Sequence, residues 1–354
     1  MGTDSQHTQV GDSGASLRHL PSNPNHWYAV RPAADLKGEP QAIELWDQAL
    51  VIYRDQAGVA HALEDVCPHR LVKLSHGRVE GGHLVCTYHG WQFDAQGACV
   101  AIPYLQPEQR IPACRVRSYP VREQDGFIWV FPGDPALADQ VTPLPIPEWH
   151  GLKYLGSWAL IDTATHFSYL IENLMDMHHG YLHSHYQPWG EARLETVNRD
   201  TNQVIARYQA QCFFTVDQIW SMAQLFLPAL RQPHPETLTV RYAYPHWIAS
   251  LGEDFKLYCL LVPAGRHRTR AYFLHFTSLH RFPKLHTLPV WFRRWIKGLF
   301  SGTARNLLEG LVREDMVMIE EEQRMHDTQP QRRGREVNPT LTHVQNLIRT
   351  QAGR

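Results

Sequence analysis

Two short segments of the chain each place one cysteine and one histidine in a tight turn. They are Cys67-Pro68-His69-Arg70 and Cys86-Thr87-Tyr88-His89-Gly90-Trp91. If the two loops face each other, they present two sulfur and two nitrogen ligands to one shared metal centre. Sixteen residues separate His69 from Cys86, so the chain between the loops must fold back on itself.

The way the ligands are distributed favours an iron–sulfur cluster over zinc. Zinc sites with mixed ligands usually take Cys-x₂₋₄-Cys and His-x₃₋₅-His pairs. Here each loop supplies one cysteine and one histidine, so one iron of a Rieske-type [2Fe–2S] cluster can take both sulfurs and the other both nitrogens. Pro68 stiffens the first loop, and Gly90 permits a close backbone approach in the second. Structural zinc and unrelated turn residues are the alternative interpretations.

The pattern of turns and prolines divides the chain into three parts. Residues 1–24 are rich in Gly, Ser, Asp and Gln and are predicted to form a disordered arm. Residues 25–140 contain short β-type runs between turn signals, which predicts an all-β domain. A proline-rich stretch at 132–147 marks the boundary. Residues 141–354 group their strands between helices, so we expect an α+β domain there.

The clearest runs of alternating or apolar residues predict individual strands. These predicted strands are 49–53, 84–86, 91–93 and 127–131 in the first domain, and 203–208, 238–244, 255–262 and 270–277 in the second.

Charge and hydropathy exclude several functional classes. Thirty-four basic and 35 acidic residues give a formal net charge of -1, so no overall field attracts nucleic acid. No run approaches the roughly 20 apolar residues of a membrane-spanning helix, and the start lacks the apolar core of a secretion signal. We therefore expect a cytoplasmic protein. Six cysteines do not make a disulfide framework in a chain this long, while 22 histidines suggest metal sites.

A second polar pattern lies in a predicted helix at 167–183. At about 100° per residue, four polar side chains share an arc of about 120°: Asn173, Asp176, His179 and His183. Burying such a stripe gains nothing unless the stripe coordinates a ligand. His179 and His183, four residues apart, can converge on one metal. The alternatives are that His178 replaces His179, or that these are surface histidines.

The third metal ligand is predicted on a distant helix at 303–325. Two histidines and one carboxylate form the non-haem Fe(II) triad, which leaves positions open for O₂ and substrate. Asp315 lies on the apolar face of this helix, where a lone carboxylate is costly unless it is paired or bound to a metal. Glu322 is the second candidate, and a core salt bridge is the alternative role for Asp315. Three other glutamates are expected to be solvated: Glu314, Glu320 and Glu321.

The two cysteine–histidine loops resemble the Rieske motif of the non-haem iron oxygenases that hydroxylate rings or remove methyl groups. Segments 73–77 and 90–94 lack the extra cysteines of respiratory Rieske proteins, which favours the oxygenase branch. The resemblance implies a helix-grip antiparallel sheet in the second domain. It also implies four ligands for a [2Fe–2S] cluster: Cys67, His69, Cys86 and His89.

The polar stripe resembles the family's iron segment, Asn-x-x-Asp-x-x-His-x₄-His, although three residues rather than four separate the two histidines here. The resemblance implies that His179, His183 and Asp315 bind a mononuclear Fe(II). It implies that Asp176 links the cluster of one subunit to the iron of the next, with Asn173 at the start of the motif.

Together these features predict the terminal component of a Rieske monooxygenase or dioxygenase. Such a component passes electrons from the cluster to the iron and uses O₂ to hydroxylate or demethylate an organic, aromatic or polycyclic substrate. No Gly-x-Gly-x-x-Gly motif is present, so we expect a separate ferredoxin or flavoprotein reductase. The resemblance also implies a homotrimer. The competing hypotheses are a Rieske-type electron carrier with a non-catalytic ligand-binding domain and a zinc-stabilised binding module.

Aromatic residues of the second domain are candidates for the substrate pocket or for ordinary core: Phe213, Phe214, Trp220, Trp247 and Phe273. Residues 291–300 mix basic and aromatic side chains, which is typical of an amphipathic surface helix. A membrane-contacting or reductase-docking face is the alternative.

Overall fold

The structure is a computed structural model. It describes residues 16–106, 108–151, 153–183, 189–213, 233–252, 255–278, 289–332 and 334–353.

The first part of the chain forms three small antiparallel sheets, in the strand orders β1-β11-β10, β2-β3-β4-β9 and β5-β6-β7-β8. The strands are β1 (Tyr28–Pro32), β2 (Gln41–Leu45), β3 (Gln48–Arg54), β4 (Ala60–Glu64), β5 (Arg78–Glu80), β6 (His83–Val85), β7 (Gln92–Phe93), β8 (Cys99–Ala101), β9 (Ser118–Tyr119), β10 (Val121–Gln124) and β11 (Phe127–Val130). All four strands predicted from the sequence in this part overlap a strand of the structure.

The second part is built on one seven-stranded antiparallel sheet, in the order β12-β18-β17-β16-β15-β14-β13. Its strands are β12 (Tyr154–Thr163), β13 (Trp189–Arg199), β14 (Gln203–Cys212), β15 (His234–Ala243), β16 (His246–Leu251), β17 (Phe255–Gly265) and β18 (Arg268–Ser278). The antiparallel sheet with grouped helices confirms the predicted α+β class.

Three α-helices accompany the large sheet in the described residues: α1 (Phe167–Met175), α2 (Val290–Thr328) and α3 (Pro339–Ala352). The helix predicted at 167–183 is wrong in its second half, because α1 ends at Met175 and a 3₁₀ helix follows at Met177–Leu182. The helix α3, in which Val344 and Leu347 are fully buried, is not predicted from the sequence.

The N-terminal arm predicted for residues 1–24 differs from the structure at its inner end. Leu17–His19 form a short 3₁₀ helix, and Leu17 is buried against the helices of the large sheet. Asn23 is also buried, and its side-chain amide donates to Gln351 in α3. Residues 1–15 lie outside the described part of the chain.

The sheets and helices stack in layers separated by three apolar cores. In a strand, successive side chains point to opposite faces. Thus Cys259 and Leu261 of β17 pack toward the helices, whereas Leu260 packs toward the first part of the chain. In β3, Ile52 shares that second core, while Val51 faces a third core beneath β5–β8. We call the helix-covered side of the seven-stranded sheet its inner face.

Within the part of the chain that the structure describes, no helix is both long and apolar enough to span a membrane.

Candidate cluster loops and metal centre

The two cysteine–histidine loops have the same backbone hydrogen bonds. In the first loop Cys67 N donates to Val72 O, and Leu71 N donates back to Cys67 O. In the second loop Cys86 N donates to Trp91 O, and Gly90 N donates back to Cys86 O. The fifth residue of each loop has a left-handed backbone, with φ of 56° at Leu71 and 73° at Gly90. The sequence therefore encodes the same turn twice, with glycine relieving the strain in only one copy.

The loops bring the four predicted cluster ligands together. Cys67 and Cys86 are buried, and burial raises the pKa of the Cys67 thiol to about 11. The backbone N–H groups of His69 and Arg70 bond the Cys67 sulfur and oppose this shift. The rings of His69 and His89 lie 4.5 Å apart between centroids, and His69 stacks on Trp91 at 4.8 Å.

One imidazole nitrogen at the loops has no protein partner. Nδ1 of His69 is buried and accepts or donates no hydrogen bond within the described structure. A buried polar atom without a partner is costly, and a metal bond would satisfy it. The two thiols, the converging imidazoles and this nitrogen fit a [2Fe–2S] cluster.

Exposed apolar side chains surround the cluster loops. Leu71 is 76% exposed, Tyr88 58% and Tyr104 52%. The Tyr104 hydroxyl accepts a hydrogen bond from Trp91 Nε1, which ties this rim to the ring that stacks on His69. A cluster of exposed large apolar groups is typical of a protein contact surface.

The second set of predicted ligands also converges. One ligand atom from each of His179, His183 and Asp315 lies within 4.8 Å of the other two. Asp315 Oδ1 is 3.7 Å from Nε2 of His179 and 3.5 Å from Nε2 of His183. Nε2 of His183 is buried and has no hydrogen-bond partner among the described residues. This arrangement fits a metal ion bound by two imidazoles and one carboxylate.

The outer nitrogen of each imidazole is held by an acceptor. His179 Nδ1 donates to the backbone carbonyl of Asp176, and His183 Nδ1 donates to Glu314 Oε2 at 2.9 Å. Both acceptors require a proton on Nδ1, which leaves the Nε2 lone pairs free for a metal. The prediction that Glu314 is only solvated is therefore wrong, since it orients His183.

The charges of the three groups suit metal binding. Burial raises the pKa of Asp315 to about 6, although His179 and a hydrogen bond from Asn173 act in the opposite direction. Burial lowers the pKa of both imidazoles. Near neutral pH the carboxylate is thus ionised and the imidazoles are neutral, which are the states that bind metals.

Asp176 forms the junction between α1 and the 3₁₀ helix. It ends α1, and its side chain accepts a hydrogen bond from His178 N at the start of the next helix. Oδ1 of Asp176 also contacts His178 Nδ1 at 2.9 Å and accepts from Asn338 Nδ2 at 2.9 Å. His178 therefore faces Asp176 and the ring of Tyr208, away from Asp315. The geometry favours His179 as the partner of His183.

Trp189 supports the 3₁₀ helix from β13. Its ring makes edge contacts with His179 at 5.4 Å and His183 at 5.8 Å. Its Nε1 donates to Met177 O. A Cβ at Gly180 would lie 2.8 Å from Trp189 Nε1, so glycine is needed for this approach.

The other predicted residues are distributed as follows. Asn173 Nδ2 lies 3.3 Å from Asp315 Oδ1. Glu322 lies by Arg18 and Glu172 and does not join the metal group. The prediction that Glu320 is only solvated is wrong, because it accepts hydrogen bonds from the Thr163 hydroxyl and from Ala164 N. Glu321 pairs with Arg324 at the surface, as expected.

The predicted aromatic wall is only partly described. Trp247 and Phe273 lie stacked on the inner face, with ring centroids 6.0 Å apart. Phe214 and Trp220 lie outside the described residues. Residues 291–300 are helical, and their side chains lie outside the described part.

Several known proteins are similar to this chain in sequence and in fold. Residues 26–120 match the model of the Rieske [2Fe-2S] domain. The 4beta-methylsterol monooxygenase of Methylococcus capsulatus is 34% identical over 337 residues, covering 94% of this chain and 89% of that protein. The oxygenase component of dicamba O-demethylase from Stenotrophomonas maltophilia is 39% identical over 165 residues, covering 45% of this chain and 47% of that protein. The crystal structure of dicamba monooxygenase bound to dicamba superposes with a TM-score of 0.75 at 24% identity, covering 93% of this chain and 97% of that chain.

A Rieske domain joined to a helix-covered antiparallel sheet defines a class of oxygen-using iron proteins. The chain belongs to the Rieske non-haem iron oxygenases. It is the oxygenase component of a multicomponent system, with a Rieske [2Fe–2S] cluster and a mononuclear iron as cofactors. The predicted oxygenase function is confirmed over the hypotheses of an electron carrier and a zinc module.

Proposed function

We propose that His179, His183 and Asp315 hold the mononuclear iron, and that Cys67, His69, Cys86 and His89 hold the cluster. The unpartnered Nε2 of His183, aimed at Asp315, is the observation that carries the iron site. Bound there, the iron supplies oxygen activation at its open positions. Glu314 and the Asp176 carbonyl keep both imidazoles in the metal-binding tautomer.

The layered fold supports electron transfer between subunits rather than within one. Inside a chain, the cluster loops are separated from the metal site by the seven-stranded sheet and the sheet containing β3. Sheets pack about 10 Å apart, so the path inside one chain is roughly 30 Å. The Asp176 side chain is partly exposed. Tyr181, in the 3₁₀ helix that Asp176 starts, is 80% exposed, and Val337, which precedes its hydrogen-bond partner Asn338, is 91% exposed.

This apolar patch and the rim around the cluster loops are the two faces of a head-to-tail contact. We propose that the rim of one subunit docks beside Asp176 of the next, so that Asp176 joins the two centres. A head-to-tail contact that closes gives a ring, and three subunits are proposed. A separate ferredoxin or flavoprotein reductase supplies the electrons. The cytoplasmic location and the boundary at residue 140 remain predictions.

The inner face of the sheet presents an uncharged wall in four of its strands. The inward side chains of β12, β16, β17 and β18 include no Lys, Arg, Asp or Glu. An anionic substrate needs a cation beside it, and this wall supplies none. We therefore propose a neutral polycyclic lipid. The 4beta-methylsterol monooxygenase of Methylococcus capsulatus matches 94% of this chain. This similarity supports monooxygenation of a methyl group on a sterol-like substrate.

The test uses purified holoenzyme with a ferredoxin, a flavoprotein reductase, NADH and ¹⁸O₂. A 4β-methylsterol should yield a hydroxymethyl product carrying one ¹⁸O, with two electrons and two protons reducing the other oxygen atom to water. The Asp315→Asn variant should keep the cluster absorption and lose this product. Release of formaldehyde from an aryl methyl ether, with the methylsterol unchanged, would instead identify an O-demethylase.

A further inference from the structure

Ser157 and His275 are two polar side chains on the inner face of the sheet. Around them the inward residues of β12 and β18 are mostly small or apolar, such as Ala159, Ile161 and Phe273. Side chains alternate between the two faces along a strand, so Ser157 of β12 and His275 of β18 point to the same face as Ala159 and Phe273. Ser157 and His275 are also directly opposite each other on the two paired strands. The two polar groups therefore lie side by side on the wall that faces the helices.

Ser157 has an unsatisfied hydroxyl. Only 8% of the residue is exposed, and its Oγ makes no hydrogen bond within the described structure. A buried hydroxyl without a partner is unfavourable, and a polar group of a bound ligand can satisfy it.

His275 presents an uncharged imidazole beside that hydroxyl. Its ring stacks on Phe255, and Nε2 bonds the Thr277 hydroxyl at 3.2 Å. Burial lowers the pKa of His275 to about 4. No acidic or basic side chain shares the inner face of β12, β17 or β18 with it. At neutral pH the imidazole is a neutral donor and acceptor, which suits a hydroxyl or carbonyl better than a carboxylate.

These residues lie toward the end of the sheet remote from the iron ligands. The α2 helix runs along β12, with Glu320 beside Thr163 and the Arg305 guanidinium 5.5 Å from the Trp158 ring. The helix rises about 15 Å between Arg305 and Asp315. Ser157, next to Trp158, is thus displaced from the level of Asp315 by about the length of a fused-ring molecule.

We propose that Ser157 and His275 form a polar subsite that hydrogen-bonds an uncharged oxygen at the end of the substrate remote from the oxidised methyl group. This inference rests on the proposed function, which places that methyl group at the iron. The subsite selects neutral lipids that carry a hydroxyl or carbonyl at the end remote from the oxidised methyl group. The distance between that oxygen and the methyl group must match the distance between the subsite and the iron. Ser157 and His275 determine specificity and do not touch the reacting atoms.

The test compares two probes that differ in one oxygen: a 4-methylcholestanol and the same sterol with a hydroxyl at carbon 25 of the side chain. Binding to the holoenzyme is measured by quenching of tryptophan fluorescence. Ser157→Ala and His275→Phe should each weaken binding of the hydroxylated probe about tenfold, the value of one hydrogen bond to a neutral group. Both should leave binding of the other probe unchanged. His275→Gln should restore part of the loss.

The matched control is Ser250→Ala, because Ser250 lies on the same sheet but on the opposite face, where it bonds Lys256. It should bind both probes like the wild type. Unchanged binding of the probe that lacks the hydroxyl at carbon 25 shows that each variant is folded. Equal binding of both probes by wild type and variants, with methyl oxidation intact, overturns the subsite alone. A preference for the hydroxylated probe without methyl oxidation supports the subsite and rejects the proposed function. Failure to bind either sterol rejects both.

Discussion

At the scale of single residues, the metal centre depends on groups that do not themselves contact the metal. His183 is one of the most enclosed side chains of the site, and its orientation is set by the carboxylate of Glu314. Because Glu314 directly precedes Asp315 on α2, one turn of helix supplies both a ligand and the acceptor that orients another ligand. Partners of this kind tune metal affinity strongly.

Replacing Glu314 with Gln should weaken iron binding. The amide can still accept a hydrogen bond from His183 Nδ1, but it removes the negative charge that makes the imidazole a better donor. We expect iron affinity to fall about tenfold or more, while the cluster absorption is unchanged. Iron per chain after dialysis against graded chelator measures the effect. The control is Glu321→Gln, which alters an exposed glutamate of the same helix; equal iron retention in the two variants would contradict the role of Glu314.

Asp315 should give the apoprotein a distinctive dependence on pH. Its folded-state pKa, about 6, lies above its ordinary value of 3.8, so the folded apoprotein binds this proton more tightly than the unfolded chain. That stabilisation is present at low pH and is lost as the pH rises through about 6. Relative to wild type, the Asp315→Asn apoprotein should gain more than about 1 kcal/mol between pH 5 and pH 7.5.

Urea unfolding of metal-free protein at the two pH values measures this gain. The buried imidazoles titrate in both apoproteins, so the difference between the two isolates the Asp315 carboxyl together with its interaction with His179. Asp139→Asn is the control, since the Asp139 side chain is 96% exposed and should show no such gain. A pH-independent difference between wild type and Asp315→Asn would refute the argument.

At the scale of elements, the sequence determines local turns better than it determines where a helix ends. The cluster loops could be predicted because each pairs its ligands within a few residues. The spacing at 173–183 predicts one helix, because apolar spacing does not reveal that the Asp176 side chain starts a second one. The role of Glu314 was missed for a related reason, since it depends on a contact with a residue 131 positions away.

The strained fifth residue of the first loop offers a test at this scale. Leu71 has a φ of 56°, whereas the equivalent Gly90 adopts such a conformation without steric cost. Leu71→Gly should therefore be more stable than Leu71→Ala by about 1 kcal/mol, since both lack the exposed side chain and only alanine retains the strain. The melting temperatures of the two holoprotein variants, measured as the loss of cluster absorption on heating, give this comparison. Equal melting temperatures would show that the turn stores no strain.

At the scale of the whole molecule, the layers determine which centres can exchange electrons. Two sheets and three apolar cores lie between the cluster loops and the candidate iron site of the same chain. The order of these layers could not be read from the sequence, because it depends on which face of each strand meets which neighbour. The exposed apolar groups near Asp176 and those around the cluster loops lie on different faces of one chain. A head-to-tail contact covers the first group on one copy and the second group on its neighbour.

Co-expression of two inactive variants tests whether electrons cross between subunits. Cys86→Ser should lose the cluster and keep the iron site, and Asp315→Asn should do the reverse, so neither should turn over alone. In a head-to-tail ring assembled at random from equal amounts, about one quarter of the contacts join an intact cluster to an intact iron site. Isolation with a different affinity tag on each variant keeps only rings that contain both chains. In a mixed ring of three, about one contact in three is of this kind, so we expect turnover of about one third of wild type. Adding Asp176→Asn to the Cys86→Ser chain should abolish this recovery, because that chain carries the only functional iron site. A mixed oligomer without turnover would mean that electrons travel within each chain, despite the intervening layers.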